Sequence, residues 1–461
     1  MENVERNRAQ YIKMTQTPIP KLISKLAVPT TISMLVTSVY NLADTYFVSK
    51  ISTSASSAVG VVFSLMTIIQ AAGFTLGMGA GSLLARRLGE KNKKAADEYA
   101  STAFYTSLAL GLIITVFGQL FKEELMTLLG ATETNYEFAA DYGNYILWAA
   151  PIMCASFVMN NILRSEGKAA LSMIGLSVGG ILNIILDPIF IFTFNLQTAG
   201  AAIATVISQF MSFVLLLSMF LFRKSNISLS PKNIVFKPKI YAEILTTGMP
   251  SLSRQGLASV ATVLLNRAAG VYGDAAIAAM SIVAKVCMLV QCVCIGVGQG
   301  FMPVAGFNYG AKKFDRVKKA FRFTLTADTI IMACLGVAIF IFAPTIMKLF
   351  RAEDATVVEI GSAAMRAQCI AMPLMSMTIV ANSLLQSVGK SVRATILSCC
   401  RQGIFFIPLI LVLPKFFGLW GIEYTQAIAD ALTFLISLPF VIWFFKGLKN
   451  EQKSATADVN D

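Results

Sequence analysis

The chain has 461 residues, of which 56% are hydrophobic and only 14% charged, with a mean hydropathy of +0.68. Charged residues make up about a quarter of a soluble domain, so this composition excludes a soluble enzyme and describes an integral membrane protein. The formal net charge is +13, and the chain contains no His, which removes imidazole proton relays and His-ligated metal sites.

Long apolar runs predict twelve spanning helices at 22–49, 56–84, 98–121, 138–162, 169–195, 199–222, 242–269, 275–305, 318–346, 358–387, 391–414 and 420–446. Each exceeds the roughly 20 residues that cross a hydrocarbon core of about 30 Å. Helices are required because lipid offers no partner to an open backbone group, and no ten-residue barrel alternation competes. The first 21 residues are polar and mixed in charge, and are read as a cytoplasmic N-terminal segment without a cleavable leader. The runs then divide into an N-lobe (22–222), a linker (223–241), a C-lobe (242–446) and a cytoplasmic tail (447–461).

Basic residues explain the net charge by their placement. Connections on one side hold Arg86, Arg87 and Lys91, then Arg223 and Lys224, then Lys312, Lys313 and Arg316, with further lysines beside them. Opposite connections hold only Lys50, Lys122, Lys348, Arg351 and Lys415. The positive-inside rule puts both termini in the cytoplasm and makes the basic excess an orientation signal rather than a nucleic-acid surface. The eight cysteines lie in apolar runs without metal spacing and read as packing residues.

Taken in order, the first span carries Pro29 and, about 9 Å below its outer end, Asp44 in "YNLADTYFV". The second ends in Gly77-Met-Gly-Ala-Gly81, which no strand precedes, so close helix packing explains it better than a nucleotide loop. The fifth contains "GGILNIILDPIFIFTFN", with Asp187 about 12 Å from the outer end and Asn183 one turn deeper on the same face. Pro188 lacks an N–H and can leave the Ile184 carbonyl free. Thr205 in the sixth span returns to the level of Asp44. The C-lobe is more basic: Arg254 in the seventh span, Lys285 in the eighth and Arg401 in the eleventh accompany Asp430 in the twelfth. Asp328 and Glu423 read as close enough to an interface to snorkel.

Several uncommon residues recur at an offset of about 221. "AVPTTIS" around Pro29 matches "GMPSLSR" around Pro250, and "AAPIM" around Pro151 matches "AMPLM" around Pro373. "NILRSEGK" matches "NSLLQSVGK", and Gly89 matches Gly310. Six helices per half means that both halves enter with one orientation, related by a pseudo-twofold axis along the membrane normal with a cavity between them. Such a frame suits alternating access better than a channel, for which no filter loop is found.

Asp44, Asp187, Asn183 and Thr205 together form an oxygen-rich nest that could hold a small cation. Burial favours the protonated carboxyl, so a proton could fill the same role. The plainer alternative is that both aspartates cap or snorkel near the outer surface. In the second half Phe405 and Leu409 stand where Asn183 and Asp187 would be repeated.

Over essentially the whole chain these residues resemble the multidrug and toxic compound extrusion (MATE) family, in its bacterial DinF-like and MepA-like branch. The resemblance implies an all-helical fold of two six-helix lobes, no enzymatic activity, and a monomer in the bacterial plasma membrane that exports drug-like small molecules. It implies exchange for H+ or Na+ with no other cofactor, at a site made by Asp44, Asn183, Asp187 and Thr205. It further implies a helix that bends at Pro29, and a drug cavity faced by Tyr40, Thr37, Phe157 and Asn160. The chain departs from the NorM-like branch, whose C-lobe is acidic in helices 7 and 10. Here Arg254, Lys285, Arg401 and Asp430 would form a polar network, read as an ion pair or as a site for gating or an anionic group. A flippase for a lipid-linked precursor, of the same superfamily, is the alternative function.

Overall fold

Residues 2–350 and 354–457 are described by the computed structural model. Arg351, counted above with the outer connections, and tail residues 458–461 lie outside the described residues. Each apolar run forms a helix: α1 (Ile19–Ser49), α2 (Thr53–Gly89), α3 (Lys93–Leu120), α4 (Tyr136–Ser165), α5 (Ala169–Thr193), α6 (Gln197–Leu221), α7 (Pro238–Gly270), α8 (Asp274–Gly310), α9 (Phe314–Phe350), α10 (Ala355–Ser387), α11 (Ser391–Phe417) and α12 (Leu419–Ala457). Among the described residues eleven of these are long and apolar enough to span a membrane by themselves. The twelfth, α7, is long enough but carries Glu243, Arg254, Gln255 and Arg267 along its length.

Helix ends overrun the apolar runs. The first spanning helix begins at Ile19 rather than 22, α7 begins at Pro238 inside the expected linker, and α12 continues to Ala457, well past 446. Apolarity marks where hydrocarbon ends, whereas intrahelical hydrogen bonds carry on into water. The N-terminal segment is itself a helix, Glu2–Gln16. It reaches both halves at the end that bears the basic loops. Gln10 Nε2 donates to the Glu166 carbonyl at 2.7 Å, while Asn308 Nδ2 donates to the Met14 carbonyl at 3.1 Å.

The lobes meet through α1 against α8, α2 against α7, and α2 against α8. Glycine makes these approaches possible. A methyl group at Gly79 would run into the Ile244 carbonyl of α7, and one at Gly248 into the Thr75 carbonyl of α2. At the ends of α2 and α8, Gly89 abuts the Phe307 carbonyl and Gly310 abuts the Arg86 carbonyl. Because Phe307 stands 221 residues after Arg86, just as Gly310 does after Gly89, the two contacts are exchanged by the twofold axis. The glycine motifs of α2 and α8 are thus helix-packing devices, and the lobes are joined at the basic-loop end.

Candidate functional site

Pro188 shapes the fifth helix. Regular α-helix ends there and a π-helical turn, Ile189–Thr193, follows, with the Phe194 N–H donating to the Ile189 carbonyl at 3.0 Å. The missing proline N–H breaks the i to i+4 ladder, and such turns gather at functional sites. A second π turn, Cys400–Phe405, contains Arg401 in α11.

Asp187 is fully buried, and Asn183, Thr205 and Asp44 are at most 8% exposed. Asn183 Nδ2 donates to Asp187 Oδ1 at 3.1 Å and to Thr205 Oγ1 at 3.2 Å, tying α5 to α6. Asp44 joins from α1 through Tyr142 of α4, whose hydroxyl donates to Asp44 Oδ2 at 3.0 Å and neighbours Thr205 as well. Tyr142 escaped the sequence reading although the depth argument could have found it. It lies six residues into α4, about 9 Å down, at the level of both aspartates.

Three acceptor atoms in this cluster have no hydrogen-bond partner: Asp44 Oδ1, Asn183 Oδ1 and Asp187 Oδ2. The carboxyls act on each other electrostatically, and among the described residues no Lys or Arg compensates either of them. Two close carboxyls in a low-dielectric site cannot both be ionised without a counter-charge. Orphaned oxygens from two carboxyls and an amide, with the Thr205 hydroxyl beside them, fit a proton or a small hard cation of low charge. Among the described residues there is no group of three or more His, Cys, Asp or Glu side chains that would suit a transition metal.

The residues expected to face a drug cavity need correction. Asn160 is fully buried, and its Nδ2 donates to the Ser172 carbonyl at 3.0 Å and to Ser172 Oγ at 2.6 Å. It binds α4 to α5, as Asn382 binds α10 to α11 through the Ala394 carbonyl and Ser398 Oγ. Phe157 packs against Phe74 with ring centroids 4.9 Å apart, and Tyr40 packs against Gly180. Only Thr37 is partly exposed, its hydroxyl satisfied by the Ser33 carbonyl at 2.9 Å. The physical reason is that α4 is the buried axis of its lobe, drawn in by the small residues of α2, although Asn160 Oδ1 and Ser156 Oγ are left without a hydrogen-bond partner.

In the C-lobe, Arg401 pairs with Asp430, with Nε 2.6 Å from Oδ1 and Nη2 3.4 Å from Oδ2, and Gln426 adds a bond to Oδ1 at 3.1 Å. Lys285 takes no part, being exposed on α8. Arg254 is half-buried, has no carboxylate partner among the described residues, and lies within electrostatic reach of Arg401 and of Arg164 in the other lobe. Asp430→Asn should cost about 3–5 kcal/mol by leaving a buried guanidinium uncompensated. The check is thermal unfolding in detergent, where Arg401→Met with Asp430→Leu should recover most of the loss. A further correction concerns the acids set aside. Glu423 is 3% exposed, and Asp328 is completely buried at the middle of α9, between α8 and α10 rather than at an interface.

Comparison with known proteins places this geometry in context. The family model described as MatE matches residues 29–189 and again 250–412, the two halves at the repeat offset read from the sequence. The multidrug export protein MepA of Staphylococcus aureus (strain MRSA252) is 26% identical over 433 residues, covering 94% of this chain and 95% of that protein. A solved outward-facing conformation of a multidrug resistance MATE family transporter of the MOP superfamily superposes with a TM-score of 0.90 at 27% identity, covering 95% of this chain and 98% of that one. A MOP superfamily transporter from Pyrococcus furiosus, described as having a binding pocket of reverse polarity, superposes with a TM-score of 0.89 at 26% identity over 95% of this chain and 98% of that one.

Proposed function

Since the chain belongs to the MATE family of membrane transporters, we propose that it is a secondary antiporter of the bacterial plasma membrane that exports amphipathic drug-like molecules in exchange for inward H+ or Na+. The observation that carries this reading is the set of unpartnered oxygens on Asp44, Asn183 and Asp187, gathered in one buried site with no basic neighbour. Such a site is stable only when it binds a cation or proton, and it releases that charge when the surroundings change.

In this mechanism residues 22–222 and 242–446 move as two lobes. Both termini and the linker 223–241 face the cytoplasm. A proton or sodium ion entering from outside binds Asp44 and Asp187; Asn183 and Thr205 orient the carboxyls, and Tyr142 carries the change from α4 to α1. Helix α1, which contains Pro29, then shifts against α5, and the substrate between the lobes loses contacts and leaves outward. Coupling requires only that cation and substrate weaken each other's binding. Each inward elementary charge supplies about 2.3 kcal/mol per 100 mV.

Proteoliposomes loaded with a fluorescent cationic drug test the proposal, with pH and sodium gradients imposed separately. One of the two gradients should drive efflux and the other should not. Efflux indifferent to both would refute antiport.

Arg254 favours a second reading, a lipid flippase, because an unpaired guanidinium between the lobes would bind a phosphate headgroup. Rescue of a cell-envelope defect on expression, without any rise in drug resistance, would select it.

A further inference from the structure

One buried carboxyl plays no part in the mechanism above. Asp328 stands fourteen residues into α9, about 21 Å along it, and is 0% exposed. Cys294 of α8 donates its thiol to Asp328 Oδ2 at 2.8 Å, while Oδ1 has no partner. From α10, Ser376 faces the same carboxyl with a hydroxyl that makes no geometric hydrogen bond. No Lys or Arg pairs with it; the nearby guanidinium, Arg401, is committed to Asp430. An ionised carboxylate held at this depth by one weak thiol donor is costly. A bound proton removes that cost and lets the free oxygen donate to Ser376.

A small cavity lies about one helical turn from the site, lined by Gln291, Met332, Met372, Met375 and Asp430 among others. Met332 is one turn from Asp328 on α9, Met372 one turn from Ser376 on α10, and Gln291 three residues from Cys294 on α8. The three helices that hold the carboxyl therefore also wall the cavity, whose polar lining is Gln291, Gln368 and Asp430. The site is no copy of the N-lobe cluster, since the repeat offset places Ser107 of α3 where Asp328 stands.

We propose that Asp328 is a second proton-binding site, lodged in the C-lobe, which exchanges its proton with the cavity walled by α8, α9 and α10. The groups that act on it directly are Cys294 of α8 and Ser376 of α10; Arg401 of α11 acts on Cys294 in turn, and Cys287 of α8, Cys369 of α10 and Asp430 of α12 form a second set of charged and titratable groups joined to it through Arg401. Helix α1, which also touches α9, brings it no charged partner. The role of this proton in transport rests on the antiport reading, but its binding does not.

Infrared titration of the full-length protein in lipid nanodiscs tests the proposal directly. Wild type should show protonated-carboxyl C=O absorption that disappears as pH rises; a component of it should persist in the Asp44→Asn/Asp187→Asn double variant and be lost when Asp328→Asn is added to that variant. Superimposable titrations of wild type and Asp328→Asn would overturn it. Should Asp328→Asn not fold, Cys294→Ala, which removes the thiol that donates to the carboxyl, must move the midpoint of that band, and an unmoved midpoint overturns the proposal equally. Failure of the antiport reading would appear separately, as wild-type efflux that ignores both a pH and a sodium gradient while the infrared band still titrates.

Discussion

Asp187→Asn is expected to abolish gradient-driven efflux from proteoliposomes while leaving the protein folded, and Asp44→Asn to do the same. Asparagine keeps the volume of aspartate and can still accept a bond from Asn183, whose Nδ2 now meets Asp187 Oδ1 at 3.1 Å. What it cannot do is change charge. The wild-type site holds two carboxyls with unpartnered oxygens and no basic compensation among the described residues, so in the proposed mechanism its stability depends on a proton or cation that comes and goes. With one carboxyl neutral by constitution, that demand falls away and the gradient has nothing to act on. The loss is large because one inward charge is worth about 2.3 kcal/mol per 100 mV, or about a fifty-fold accumulation ratio at 1.4 kcal/mol per decade. Two measurements define the result: efflux with an imposed gradient, which should fall to the leak rate, and the thermal midpoint, which should stay close to wild type. Gradient-driven efflux that persists in both single variants would remove these residues from the mechanism.

The second large effect is expected at the crossing of α2 and α7. Gly248→Val should force the lobes apart at the basic-loop end, because even the first side-chain carbon at that position meets the Thr75 carbonyl and no rotamer avoids it. Overpacking a tight contact costs about 1–3 kcal/mol. Applied to one of the two states that the proposed antiport cycle requires, that shifts their ratio by about 5–150-fold. Spin labels on Lys94 and Lys319, exposed residues near the starts of α3 and α9, report the change. Their distance distribution should move to longer values, with efflux reduced by more than tenfold. An unchanged distribution together with full efflux would mean that this contact does not set the closed state.

Much of this arrangement was legible beforehand because the membrane enforces it. Apolar length dictated the helices, and residue identities repeated at one offset dictated two related lobes. Rise per residue brought Asp44, Asp187 and Thr205 to one depth, and their side chains do converge there. Tyr142 sits at the same depth but was passed over, since a tyrosine in an apolar run has no anomaly to attract notice. The α7 helix was drawn correctly although its polar residues leave it short of the apolarity of the other eleven spans.

Rotation about each helix axis was not legible. Periodicity in an all-apolar helix carries little signal, because both lipid and protein interior accept the same residues. Asn160 and Phe157 could therefore be placed at the right depth but not on the right face, and the structure turns them into the α4 contacts with α5 and α2. Lys285 and Arg401 looked equivalent as cations in C-lobe spans, yet one is exposed and the other forms a buried pair with Asp430. Asp328 seemed free to snorkel until α8 and α10 closed over it. The sequence by itself determined how many helices cross, how the halves are related and how deep each charge lies, since hydrocarbon thickness and helix rise leave little freedom. Which charges meet, which stay alone and which glycines let the lobes touch was decided only by packing, because those depend on the facing of neighbouring helices that no single span encodes.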